Sequence, residues 1–98
     1  GDVYKRQVYN HLRAHGYEVK IGVGIQGREI DFIAEKDNEY RYVQVALSIL
    51  NEATARREFG NLENIPDNYE KIVVTYSESA PNTYNGIRQM SLREFLLS

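Results

Sequence analysis

The chain has no cysteine, only two prolines and no excess of positive charge. Without cysteine there is no disulfide scaffold, no thiolate zinc site and no cysteine nucleophile. Twelve Lys and Arg stand against fourteen Asp and Glu, for a formal net charge of -2. That balance excludes a strongly basic module that coats nucleic acid by charge alone. No apolar run approaches the ~20 residues that a membrane helix needs, and no signal-peptide segment opens the chain. We therefore expect a cytoplasmic domain without a membrane partner.

The 98 residues, 42% of them hydrophobic, suffice for one compact domain of the α/β class. Residues 22–27 and 77–85 are predicted to be loops. A stop at Gly60 is the alternative to the full length of the second helix, because glycine destabilises a helix interior. The predicted order is α-β-β-β-α-β-β-α, with a central mixed sheet flanked by helices. Its elements are helix 4–15, strands 17–21, 28–35 and 40–47, helix 52–62 capped by Asn51, strands 71–76 and 86–90, and a last helix opened by the capping box Ser91–Glu94.

Two short motifs are discounted. Gly22, Gly24 and Gly27 spell GxGxxG, but a dinucleotide loop needs a helix directly after it, and the alternating residues 28–35 predict a strand. His11 and His15 lie four apart on the first helix, yet Leu12 stands where a zinc-protease motif needs glutamate, so ordinary, partly exposed histidines are favoured over a metal site. The sequence contains neither a Walker A motif nor a nucleophile elbow.

A third pattern has chemical meaning. Cleavage of phosphodiesters with Mg²⁺ needs carboxylates on adjacent strands and a nearby lysine, which a carboxylate on one strand and Glu-x-Lys on the next supply. Here Asp31 lies on the second strand, opposite to the face expected for Ile30, while Gln44 and Ala46 share a face of the third strand. The spacing is that of the nuclease pattern, with glutamine in place of glutamate and alanine in place of lysine.

The element order and these positions resemble the restriction-endonuclease-like fold of the PD-(D/E)XK nuclease superfamily. More closely, residues 27–35 and 42–46 resemble the C-terminal domain of a family of prokaryotic AAA-type ATPases, and residues 57–60, 67–71 and 91–97 extend the likeness. The resemblance covers residues 8–98. It implies an ATPase module N-terminal to this domain in the parent chain, often with a helix-turn-helix region between them, and no established function for the domain itself.

Residues 1–7, Gly-Asp-Val-Tyr-Lys-Arg-Gln, resemble a translated read-end artefact of metagenomic reading frames. We therefore expect residues 1–7 to be non-native and residues 8–98 to form a single nuclease-like domain, a fragment of a longer ATPase. The alternative is that residues 1–7 are the real start of the first helix.

Three functions remain open. The first is a catalytically degenerate nuclease-fold accessory or interaction domain of the ATPase, with DNA as a candidate partner. The second is an active DNA endonuclease in which Asp31 and Gln44 hold Mg²⁺, with Lys20, Lys36 or Arg41 replacing the missing lysine. The third is a non-cleaving DNA-binding module that contacts phosphate through Arg56 and Arg57, although Glu52, Glu58 and Glu63 make a mixed, solvated face the commoner explanation. The absent Glu-x-Lys pair favours the first, so we expect no catalysis and no resident cofactor.

Overall fold

The computed structural model describes residues 2–25, 27–47, 52–77 and 82–98, and the predicted N-cap Asn51 lies outside these ranges. The described elements follow the order α-β-β-β-α-β-β-β-α. They are α1 (Asp2–Ala14), β1 (Glu18–Ile25), β2 (Arg28–Lys36), β3 (Glu39–Ala46), α2 (Glu52–Glu63), β4 (Glu70–Thr75), β5 (Asn82–Tyr84), β6 (Ile87–Ser91) and α3 (Leu92–Leu97). None of the described helices is long and apolar enough to cross a membrane.

The six strands form one mixed sheet in the order β1-β2-β3-β4-β6-β5. The β1-β2-β3 meander is antiparallel, and its second turn uses Asp37 and Asn38 at φ 54° and 65°, the left-handed conformation that tight hairpins require. The chain then crosses through α2, so that β3, β4 and β6 run parallel. This arrangement confirms the α/β class and the central mixed sheet with its helices.

Helices cover the sheet through two separate hydrophobic clusters. The first joins α1 and α3 to the sheet and includes Val8, Leu12 and Phe95, all fully buried. The second joins α2 to the sheet through Phe59 and Leu62. Strand β4 contributes alternate residues to both clusters, which confirms the prediction that it is covered on both faces.

The last helix begins as its capping box predicts. Ser91 is the N-cap, and its hydroxyl oxygen accepts a hydrogen bond from the Glu94 N–H at 3.2 Å. The Ser91 hydroxyl also lies 3.3 Å from the Glu94 carboxylate. These contacts satisfy groups that a helix start leaves unpaired, and they hold α3 directly after β6.

Two predictions about loops are wrong. The predicted loop 77–85 contains strand β5, which pairs with β6 through a turn at Asn85 and Gly86, both in the left-handed region. The predicted loop 22–27 is largely strand, because Val23 and Ile25 alternate with glycine and pack against the second cluster. The predicted helix 52–62 is confirmed as α2, which continues through Gly60 to Glu63 because burial of its apolar side outweighs the cost of one glycine.

Candidate functional site

The candidate site lies where β2 separates from β3. Their ladder runs from the Lys36–Glu39 pair to the Phe32–Val43 pair and ends there. Phe32 and Ala34, within the ladder, belong to the first cluster, whereas Ile30 beyond it belongs to the second, although strand alternation predicts one shared face for all three. Strand β2 turns toward α2 at Asp31, the residue that the sequence singled out.

Side chains replace the backbone ladder at this opening. The Asp31 Oδ2 atom accepts a hydrogen bond from the Val45 N–H at 2.9 Å. In return, the Gln44 Oε1 atom accepts from the Asp31 N–H, and Gln44 Nε2 donates to the Glu29 carbonyl oxygen at 3.3 Å. Gln44 is only 2% exposed. Both ends of its amide are therefore occupied in holding the two strands together.

The carboxylate of Glu58 on α2 also belongs to this site. Its side chain and that of Asp31 are each 14% exposed. Burial raises the pKa of Glu58, and the negative charge of Asp31 raises it further, against a smaller opposing effect of Arg57 and Lys5. Lys5 Nζ donates to Asp31 Oδ1 at 3.2 Å. Lys5 falls in the segment expected to be non-native.

The third position of the nuclease pattern offers no chemistry, because Ala46 is a buried methyl group. The proposed replacements for the missing lysine are engaged elsewhere or lie apart. Lys36 Nζ donates to the His15 carbonyl oxygen at 2.8 Å, and Arg41 forms an ion pair with Glu70. Lys20 is exposed and lies opposite Ile33 on β2. The cation that contacts Asp31 is Lys5.

The discounted motifs remain without a site in the structure. Gly22 and Gly24 lie within β1, and strand β2 follows Gly27 directly, so the glycines do not form a phosphate loop. The rings of His11 and His15 lie 4.1 Å apart, and His15 Nδ1 hydrogen bonds to the His11 carbonyl oxygen. Within the described ranges, no group of three or more His, Cys, Asp or Glu is placed to hold a metal ion.

Arg56 and Arg57, the predicted phosphate contacts, are both exposed on α2. Arg57 Nε lies 3.6 Å from the Glu58 carboxylate. The interpretation of this helix side as a solvated mixed face is wrong for Glu58. A signal was present in the sequence, since Glu58 lies four residues before the buried Leu62 and so on the same helix side.

We expect Glu58→Gln to raise the thermal unfolding midpoint at pH 7. A carboxyl whose pKa is raised on folding stabilises the fold below its ordinary value, here 4.5, and loses that contribution as the pH rises through the folded value. The gain should therefore disappear below pH 4.5. Thermal unfolding across this pH range measures it, with Glu63→Gln, exposed on the same helix, as the matched control. An equal rise of the unfolding midpoint in both variants would contradict the raised pKa of Glu58.

A second polar cluster fixes the segment before β4. Lys71 Nζ donates to the Asp67 carboxylate at 2.9 Å, to the Asp67 carbonyl oxygen at 2.8 Å and to the Tyr69 carbonyl oxygen at 3.0 Å. The Tyr42 hydroxyl donates to the other Asp67 oxygen at 2.6 Å. Burial alone would raise the pKa of Asp67, but these hydrogen bonds outweigh it and lower that pKa. All partners are satisfied, so the cluster is structural.

Comparison with known proteins adds one relative. No protein-family model matches the chain, and no solved structure matches it. An uncharacterized protein of Haemophilus influenzae is 38% identical over 90 residues, which is 92% of this chain. The chain spans 22% of that relative's length, so the similarity concerns one segment of a much longer protein.

Proposed function

We propose that this chain is a restriction-endonuclease-like domain that has lost cleavage and serves as an accessory or interaction module of an AAA-type ATPase. The observation that carries the first part is the engagement of Gln44. Its amide oxygen and nitrogen both hydrogen bond to the backbone of β2, so Gln44 links the two strands and is not free to bind a metal ion. With a methyl group at Ala46, the lysine position of the nuclease pattern supplies no cation to stabilise developing charge, and the cation at Asp31 is Lys5, from the segment expected to be non-native.

The part concerning the ATPase rests on the resemblance of residues 8–98 and on length. A relative of which this chain spans 22% has ample room for an ATPase module. A domain without free catalytic groups, attached to such a module, would act by binding the module or its target.

Glu58 supports one alternative function. Its carboxylate interacts with that of Asp31, and both are largely buried. Carboxylates are hard oxygen ligands that suit Mg²⁺ or Mn²⁺. The alternative is therefore a metal-dependent DNA endonuclease that uses Asp31 and Glu58, with Gln44 positioning Asp31.

DNA cleavage decides between these two functions. The chain is incubated with labelled duplex and branched DNA in Mn²⁺ and resolved on native and denaturing gels, with Asp31→Ala and Glu58→Gln as controls. We expect intact DNA in every lane. Cleavage that both substitutions abolish would overturn the proposal in favour of the endonuclease. A salt-sensitive shift without cleavage, lost on substitution of Arg56 and Arg57 by alanine, would instead support the DNA-binding module.

The ATPase part is tested on the full-length Haemophilus influenzae relative. We expect it to hydrolyse ATP, and we expect a truncated form without the segment matching this chain to retain hydrolysis. Steady-state phosphate release measures both proteins. Absence of hydrolysis in the intact relative would contradict the proposed parent.

A further inference from the structure

Strand β1 forms one outer edge of the sheet, and within the described part of the chain no strand pairs with its outer side. The opposite edge is β5, which has only three residues. Short strands, prolines, bulges and exposed lysines are common protections of such edges. Strand β1 has eight residues, contains no proline and keeps the same register with β2 before and after Gly22, so exposed Lys20 is the protection that it carries.

The first half of this edge is a short extended segment between two glycines in the left-handed region. Gly16 has φ 89° and Gly22 has φ 62°, and they bound residues 17–21 symmetrically about Val19. Within that segment Ile21 is 65% exposed. The segment therefore offers unpaired backbone groups together with an uncovered apolar side chain.

The charges of the segment select a partner and a register. Glu18 and Lys20 are exposed, and across the described residues neither forms an ion pair. If two copies pair antiparallel about a two-fold axis at Glu18 or at Lys20, identical charges lie opposite each other. With the axis at Val19, Glu18 lies opposite Lys20 of the second copy, and the pair occurs twice.

The same register also covers the exposed apolar side chain. It sets Ile21 opposite Tyr17, again twice, and it sets Gly16 opposite Gly22 at both ends of the segment. The apolar contact, the two opposite-charge pairs and the glycine boundaries thus agree on one arrangement.

We propose that two copies of this chain associate through residues 17–21, at the start of β1, antiparallel and with Val19 opposite Val19, so that two six-stranded sheets become one of twelve. The pairing is short, so the dimer is weak and forms at submillimolar concentrations. This association is independent of the proposed function and leaves the site between β2 and α2 unobstructed.

Sedimentation equilibrium from micromolar to millimolar chain tests the proposal. We expect a monomer–dimer equilibrium for the unchanged chain. Glu18→Lys and Lys20→Glu each set like charges opposite each other twice, and each should raise the dissociation constant about tenfold or more. The combined exchange of both residues restores opposite charges in this register and should restore the dimer. Glu63→Lys on α2 carries the same charge change as Glu18→Lys and should leave dimerisation unchanged.

Each outcome bears on the proposal once circular dichroism has verified that the variants are folded. A chain that stays monomeric to millimolar concentration overturns it. A single variant that dimerises as well as the unchanged chain overturns the interface. A folded double exchange that stays monomeric overturns the register, and with it the role assigned to Glu18 and Lys20.

Discussion

Gln44→Glu, the substitution that restores the nuclease glutamate, should lower the free energy of unfolding by about 3–5 kcal/mol at pH 7, as expected for an uncompensated buried charge. The Gln44 nitrogen donates to the Glu29 carbonyl oxygen, and a carboxylate oxygen in its place would face that oxygen without a proton between them. The new charge would also lie beside Asp31, whose charge already raises the pKa of Glu58. Urea unfolding at several pH values measures the loss.

The pH dependence separates charge from packing. The introduced carboxyl has a folded pKa above its ordinary value, so its destabilisation should fade as the pH drops through that folded value. Gln44→Met keeps the volume and removes the same hydrogen bonds without charge, so its smaller loss of about 1–3 kcal/mol should not depend on that titration. If the loss of unfolding free energy had the same pH dependence in both variants, the introduced charge would not be its cause. If Mn²⁺ restored the free energy of unfolding of Gln44→Glu, the introduced carboxylate and Asp31 would together bind the ion.

Lys71→Met should cost about 2–3 kcal/mol of unfolding free energy, because it removes three charged hydrogen bonds around a side chain only 10% exposed. It should also move acid unfolding to higher pH. A carboxyl with a lowered pKa stabilises the fold above its ordinary value, here 3.8 for Asp67, and loses that contribution as the pH falls through the folded value. Without the ammonium the folded pKa rises and the loss begins earlier on acidification. Thermal and urea unfolding from neutral to acidic pH measure both effects.

Lys36→Met is the matched control for this prediction. Its ammonium also donates to a carbonyl oxygen, that of His15, but the bond is exposed to water. We expect a loss of unfolding free energy below about 1 kcal/mol and no change in the pH at which acid unfolds the chain. A similar cost for both lysines would mean that the Asp67 cluster adds nothing beyond ordinary surface contacts.

Local sequence patterns predicted the central strands of the sheet and the start of the last helix. Strands β2, β3 and β4 and the capping box at Ser91 lie where these patterns place them. The pattern failed where tertiary contacts outweigh local preference. Gly22 and Gly24 indicated a turn, although the residues between and after them pack as strand, and the polar segment before Gly86 pairs with β6 despite its composition. The Asn85–Gly86 dipeptide was a hairpin signal that the composition of that segment masked.

The candidate site was predictable in part. Alternation along two neighbouring strands brought Asp31 and Gln44 together, and they do meet. The sequence could not reveal that β2 leaves β3 at that point, because the divergence depends on packing of Ile30 against α2. Nor did it assign Glu58, whose pKa responds to the charge of Asp31 although it lies on an element in another layer. The number of ligands at such a site depends on contacts between layers, which local patterns do not encode.

The hydrogen bonds at the β2–β3 opening give the site its own spectroscopic reporter. The amide protons of Asp31 and Val45 are bound to side-chain oxygens rather than to the opposite strand. Their exchange with deuterium therefore follows the state of two particular side chains instead of the opening of the sheet. An ion that drew the Asp31 carboxylate away would release the Val45 amide while the neighbouring Val43 amide, inside the ladder, stayed protected. Occupancy of this site is thus readable at a single backbone position, whether or not any DNA is cut.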